Sequence, residues 1–371
     1  MEEEGLDRVI ELARSGKRLI LTPNHQSEYD WIIIQTMLVE HDVKAAIQAG
    51  DNLFIGPLDP FIRHCGAFMS IREERAFYAR RWYLEWLPRL LRRRPFVITR
   101  EQYGRLYAEQ LTRVLRDDGL HLIVFPGYET DRFSGKVKLG RSYSGELNPL
   151  SPIVFAALRS ILRRVSALED AVYIPVNISY ERVPEDILFR EYKARSRRSK
   201  IAKYVYDHYY TFVKAPLSRA VRRRQTRVCA KFGEPIPVKN DLRGREMADL
   251  IRDRLSRLTR VYESQLVFHS LDSRYRVGRD ELWRRIEENV RHVESLGLDT
   301  SPLRHQDGSL RTLDEMLERV AHTFNMPRIP IIPSKTYTTI EYDRNEVFIH
   351  NPHLASYYAN KLRHLFPAGE R

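Results

Sequence analysis

Leu19-Ile20-Leu21 is an unbroken apolar run that stops at Thr22-Pro23, and after a short polar stretch the chain turns apolar again at Trp31-Ile32-Ile33-Ile34. A run without alternation reads as a strand covered on both faces. Proline cannot donate to a sheet ladder, so Pro23 marks its end. Ser27-Glu28-Tyr29-Asp30 then fits the Ser-x-x-acid pattern that opens helices. A covered strand followed by a helix is the beginning of a layered α/β arrangement if the alternation continues.

The next segments keep this alternation. Residues 5–16 read as a helix, 44–48 as a strand, 66–72 as a short strand with a charged end, and 74–93 as helical. Residues 101–116 form an amphipathic helix, with Tyr103, Leu106, Tyr107, Leu111, Val114 and Leu115 on one face. Gly119 is placed to cap it in a left-handed conformation. Residues 121–125 are a strand, 126–148 a long polar loop, 153–165 a helix and 171–180 a strand, and 227–233 close the series. The expected fold is therefore α/β, a mixed, largely parallel sheet flanked by helices. Beyond residue 240 the character changes: helices at 245–266, 279–296 and 312–324 precede a hairpin over 337–349 that turns at Asp343-Arg344-Asn345. The division is a domain over 1–240 and an appended, mainly helical region over 241–371.

Charge narrows the partners. The 371 residues carry 62 Lys and Arg against 49 Asp and Glu, a net +13. Such an excess suits nucleic acid, an anionic membrane surface or phosphorylated substrates. The basic clusters Arg195-Ser196-Arg197-Arg198-Ser199-Lys200 and Arg222-Arg223-Arg224 fit either polyanion, or a solvated face. Cys65 and Cys229 are too few for a disulfide framework or a cysteine zinc site, and the cytoplasm is the simplest compartment. Met1-Glu2-Glu3-Glu4 does not resemble a signal peptide. No run approaches the roughly 20 apolar residues that span a bilayer, so action at a membrane is expected to be peripheral.

Chemistry concentrates where strands end. His25 and Asp30 share the turn after the first strand. An imidazole titrates near neutrality, and a carboxylate on its second nitrogen fixes the tautomer and stabilises the imidazolium. Two plainer readings compete: Asp30 as half of a capping box, and His25 as a loop histidine bonded to backbone. Three other stretches lie at neighbouring strand ends or loops: residues 66–72, 125–136 and 173–181. In open α/β sheets ligands bind beyond the C-terminal strand edges, where these loops converge. No Gly-x-Ser-x-Gly occurs, so no serine nucleophile is indicated. Residues 135–142 have a Gly-x4-Gly frame, but Arg141 stands where a phosphate loop needs lysine. His350, His353 and His364 show no metal-ligand spacing.

Together these stretches resemble the four blocks of the glycerolipid acyltransferases, most closely the glycerol-3-phosphate and dihydroxyacetone-phosphate branch. Asn24-His25-Gln26-Ser27-Glu28-Tyr29-Asp30 matches the His-x4-Asp block. Ala49-Gly50-Asp51-Asn52-Leu53, with Gly66-Ala67-Phe68 and Arg72, is similar to the second. Residues 173–181 are similar to the fourth, and Phe232-Gly233-Glu234-Pro235-Ile236 resembles a further element of that branch. The third block departs from the pattern: Gly127-Tyr128 intervene before Glu129, and the spacing from Arg132 to Gly135 is contracted. The likeness covers roughly residues 18–240.

The resemblance implies transfer of a fatty acyl group from acyl-CoA or an acyl-carrier-protein thioester to the hydroxyl of glycerol-3-phosphate, in phospholipid synthesis. His25 would be the general base and Asp30 its orienting acid, with no covalent acyl-enzyme. Lysophosphatidate is the alternative acceptor. A non-catalytic basic protein binding nucleic acid or anionic lipid is the alternative of another class. A phosphate-bearing acceptor needs cations, and arginine binds phosphate bidentately. Arg72, Arg132 and Lys136 are the phosphate candidates, and Gly66, Glu129, Gly135, Lys138 and Arg141 further substrate-binding candidates. No metal or cofactor is implied, the thioester being a co-substrate. The expected location is cytoplasmic, peripheral at the inner face of a membrane, without nucleic acid.

Overall fold

The computed structural model describes residues 1–50, 66–70, 76–77, 96–97, 105, 108–130, 137–139, 142, 144–184, 226–239, 241–272, 274–325 and 338–366. Strand β1 (Glu2–Glu4) leads into helix α1 (Leu6–Arg14) and strand β2 (Arg18–Pro23), which Pro23 closes. Helix α2 (Asp30–Val39) follows the polar turn, then strands β3 (Ala45–Gly50) and β4 (Ala67–Ser70). Within the stretch expected to be helical over 74–93, β5 (Ala76–Phe77) instead pairs antiparallel with β6 (Phe96–Val97). Helical backbone at residues 108–112 runs into a wider turn, Arg113–Asp117, and Gly119 takes the left-handed φ of 63° expected of it. Strand β7 (His121–Ile123) follows.

The long loop after β7 is not all loop. It contains a hairpin of β8 (Tyr128–Thr130) and β9 (Val137–Leu139). Helix α3 (Pro152–Arg164), β10 (Ala171–Tyr180), β11 (Val228–Phe232) and β12 (Ile236–Pro237) complete the sheet. The segment expected as one helix over 245–266 breaks into α4 (Gly244–Arg257) and α5 (Glu263–Ser270). Then come β13 (Arg276–Gly278), α6 (Arg279–Ser295), α7 (Leu313–Phe324), the hairpin β14 (Ile340–Tyr342) and β15 (Glu346–Ile349), and α8 (Pro352–Ala359). The turn at residues 343–345 lies where the sequence put it, and β13 adds a third strand to that hairpin.

The main sheet has the order β1-β11-β10-β2-β7-β3-β4, with β12 also on β10. Strands β10, β2, β7, β3 and β4 are parallel, and β11 and β12 run antiparallel to β10. The mixed, mostly parallel sheet is the expected class. Alternation along β2 sorts its side chains between two cores. Leu19 and Leu21 join α1, α2 and helices α5 to α8 on one face, in a core that includes residues from Leu6 to Leu365. Ile20 joins Leu111 to Leu115, α3 and α4 on the other. That is why the run has no polar residue: both faces are covered. The acidic N-terminus has a structural use, because Glu2 and Glu4 of β1 pair with Arg260 between α4 and α5, and Glu4 also pairs with Lys231 of β11.

Candidate active site

Because β2, β7 and β10 are parallel, the residues after them emerge at one edge of the sheet. His25 follows β2 and Phe125 follows β7, and their rings meet with centroids 4.5 Å apart. Pro23 cannot extend the ladder to β10, and the side chain of Asn24 continues it. Its Nδ2 donates to the Ile178 carbonyl at 3.2 Å and its Oδ1 accepts the Ile178 N–H at 2.8 Å, while its own N–H donates to the Val176 carbonyl. A side-chain amide thus reproduces a strand pair and fixes where His25 leaves the sheet.

Asp30, in the first turn of α2, is 0% exposed, whereas the His25 side chain is 12% exposed. The acid is sealed and the ring keeps an open edge. Asp30 Oδ2 lies 3.0 Å from His25 Nδ1 and accepts the Gln26 N–H at 2.7 Å and the Ser27 N–H at 2.9 Å. Its Oδ1 accepts the Tyr180 hydroxyl at 2.6 Å. An ionised carboxylate only accepts, so the proton between acid and ring belongs to Nδ1, and Nε2 is left as the basic nitrogen of the neutral ring. One carboxylate satisfies two backbone donors ahead of α2 and also holds the imidazole, so the helix-opening contact and the contact to the ring coexist.

The remaining candidates separate. Gly66 adopts φ 78°, a left-handed turn into β4 that glycine takes without strain. Glu129 lies in β8, opposite Lys138 of β9 in the hairpin register. Arg72, Arg132, Gly135, Lys136 and Arg141 lie outside the described residues. The loop after that hairpin returns to the site, where the Ser142 N–H donates to the His25 carbonyl at 3.0 Å. Among the described residues no group of His, Cys, Asp and Glu could hold a metal ion.

Sequence reasoning passed over Asn24, Gln26 and Tyr180 as agents, although all three lie inside the blocks it singled out. It passed over Lys361 altogether. Lys361 Nζ donates to Gln26 Oε1 at 2.6 Å, across a separation that no local pattern reveals.

A buried acid thus holds an imidazole at the C-terminal edge of a parallel sheet, and comparison with known proteins narrows the class of protein. Residues 6–179 match the family model described as Acyltransferase. A glycerol-3-phosphate acyltransferase of Haemophilus ducreyi is 24% identical over 394 residues, covering 98% of this chain and 41% of that protein. One of Glaesserella parasuis is 25% identical over 397 residues, covering 97% and 41%. The family model and the curated relatives together support a glycerolipid acyltransferase family. The chain spans 41% of the length of these curated relatives, and their similarity runs through the C-terminal region, beyond the residues whose motifs carried the resemblance. Among solved structures, the 1-acyl-sn-glycerophosphate acyltransferase of Thermotoga maritima is 17% identical, covers 68% of this chain and 67% of its own, and gives a TM-score of 0.32.

Proposed function

We propose that this chain transfers a fatty acyl group from an acyl thioester, acyl-CoA or acyl carrier protein, to the hydroxyl of glycerol-3-phosphate. His25 Nε2 takes the hydroxyl proton as that oxygen attacks the thioester carbonyl. The C–S bond breaks, and the departing thiolate takes the proton from the imidazolium. Asp30 keeps the proton of the neutral ring on Nδ1 and stabilises the cation that forms. The observation that carries this reading is the 3.0 Å contact of His25 Nδ1 with a sealed carboxylate. The absence of a Gly-x-Ser-x-Gly sequence supports direct transfer, the acceptor hydroxyl standing where a serine would. The names of the similar proteins support glycerol-3-phosphate as acceptor. Arg72, Arg132 and Lys136 are assigned to its phosphate by their residue type and motif positions. No helix among the described residues is long and apolar enough to cross a membrane, and the +13 charge suits peripheral attachment to anionic lipid.

The test is transfer of labelled acyl groups to glycerol-3-phosphate and to lysophosphatidate, measured side by side. Wild-type protein is expected to prefer glycerol-3-phosphate, and His25→Ala to lose transfer while retaining its binding to anionic vesicles. Equal transfer by both proteins removes His25 as base. A preference for lysophosphatidate reassigns the acceptor, and vesicle or nucleic-acid binding with no transfer by wild type returns the chain to a non-catalytic basic protein.

A further inference from the structure

The last described segment of the chain reaches back to the site at several points. Tyr358 Oη accepts the Val183 N–H at 2.8 Å, just past β10. Asn360 Nδ2 donates to the Ser144 carbonyl at 2.9 Å and Arg363 to Glu146 at 2.9 Å, both in the loop whose Ser142 holds the His25 carbonyl. Gly145 lies so close to the Tyr357 carbonyl that an added Cβ would stand 2.0 Å from its oxygen.

Lys361 is at the centre of these contacts and is 4% exposed. A buried ammonium is costly unless its charge is met. Here Nζ lies 5.9, 5.4 and 5.1 Å from the ring centroids of Tyr180, Tyr357 and Tyr358, within cation–π range. It donates to Gln26 Oε1, while the Gln26 N–H donates to Asp30 Oδ2, the oxygen that faces His25 Nδ1. One of the three rings, Tyr180, donates its hydroxyl to the other oxygen of Asp30. Lys361 therefore bears on the acid by two routes, one through the Gln26 backbone and one through the Tyr180 ring.

We infer that Lys361 is a positioning residue of the acyltransferase site, locking the His25–Asp30 turn from the C-terminal end of the chain. The inference rests on the proposed role of His25. Its effect belongs to the chemical step, because a turn released by about 1 Å misdirects the base without removing a substrate contact, and misplacement on that scale costs about 100-fold. Lys361→Met keeps an unbranched apolar stem, one atom shorter, and removes the charge and the donors.

The experiment has two readouts. In steady-state transfer Lys361→Met is expected to lose about 10- to 100-fold in kcat, with KM for acceptor and thioester little changed. In proton NMR the imidazole Nδ1–H of His25, hydrogen-bonded to a carboxylate, is expected downfield. It is identified by its absence from His25→Ala, and in Lys361→Met it is expected to weaken through faster solvent exchange. Gln26→Leu removes the first of the two routes and should reproduce both effects at least in part, and the double variant should lose no more than Lys361→Met alone, as two residues that share one bond require. Should Lys361→Met fail to fold, Gln26→Leu decides alone. Unchanged kcat and an unchanged downfield signal in the folded variants overturn the inference, as do additive losses. Wild-type protein without transfer overturns the functional reading instead, and the NMR arm still tests the lock.

Discussion

At the scale of single residues, Tyr180 is the group whose removal best separates orientation from binding. It is buried, and its hydroxyl donates to Asp30 Oδ1 at 2.6 Å. A hydrogen bond to a charged acceptor is worth about 1.5–3 kcal/mol, and one pKa-scale decade corresponds to about 1.4 kcal/mol. Tyr180→Phe keeps the ring beside Lys361 and removes the hydroxyl. The expected outcome is a fall of roughly 10- to 100-fold in kcat at nearly constant KM, measured against both substrates. A KM effect alone would place Tyr180 on a substrate instead. Asp30 itself could not be read this way, since its carboxylate also satisfies the Gln26 and Ser27 N–H groups ahead of α2.

At the scale of elements, legibility followed length and burial. β2 and β10 were readable because both faces are covered, leaving apolar runs with few interruptions. β8 and β9 were not, since strands of three residues, Tyr-Glu-Thr and Val-Lys-Leu, give alternation too few turns to register. The break between α4 and α5 was hidden for a different reason. Leu258, Val261 and Tyr262 keep apolar residues coming through the connection, and the kink is set by Arg260, whose partners Glu2 and Asp299 are remote in sequence. The His-x4-Asp turn was legible because it is local. The grip of residues 357–363 on it was not, because the contacts to Val183, Ser144, Glu146 and Gln26 span 175 to 335 residues of sequence.

Gly145 tests the docking of one such element. Its φ of 88° disfavours any L side chain, and its Cβ would collide with the backbone oxygen of Tyr357. Left-handed backbone costs about 1 kcal/mol for alanine, and relieving the collision must move the loop or α8. Gly145→Ala is expected to destabilise by roughly 2–4 kcal/mol in denaturant unfolding and to lower transfer as well, since the same loop holds the His25 carbonyl. Full stability would mean that the loop and α8 do not pack this way.

At the scale of the whole molecule, two buried histidines make stability depend on pH. Burial lowers the pKa of His121 to about 4, assisted by the charge of Arg18, and its Nδ1 accepts the Leu19 N–H at 3.2 Å. A protonated ring would point a second donor at that N–H. Burial likewise lowers His364 to about 4, with Arg252 adding to the effect. Unfolded histidine titrates near 6.5, so between these values the unfolded chain binds more protons than the folded one. Stability must therefore be fully present above about pH 6.5 and fall as the pH drops toward 4. A shift of this size corresponds to roughly 3 kcal/mol for each ring at the acid end. Urea midpoints measured from pH 7.5 to 4 should decline across that window. His121→Asn, whose Oδ1 can still accept from Leu19 without titrating, should flatten the decline by about half. An equal slope in wild type and variant would show that His121 is not the buried neutral ring that joins β7 to β2.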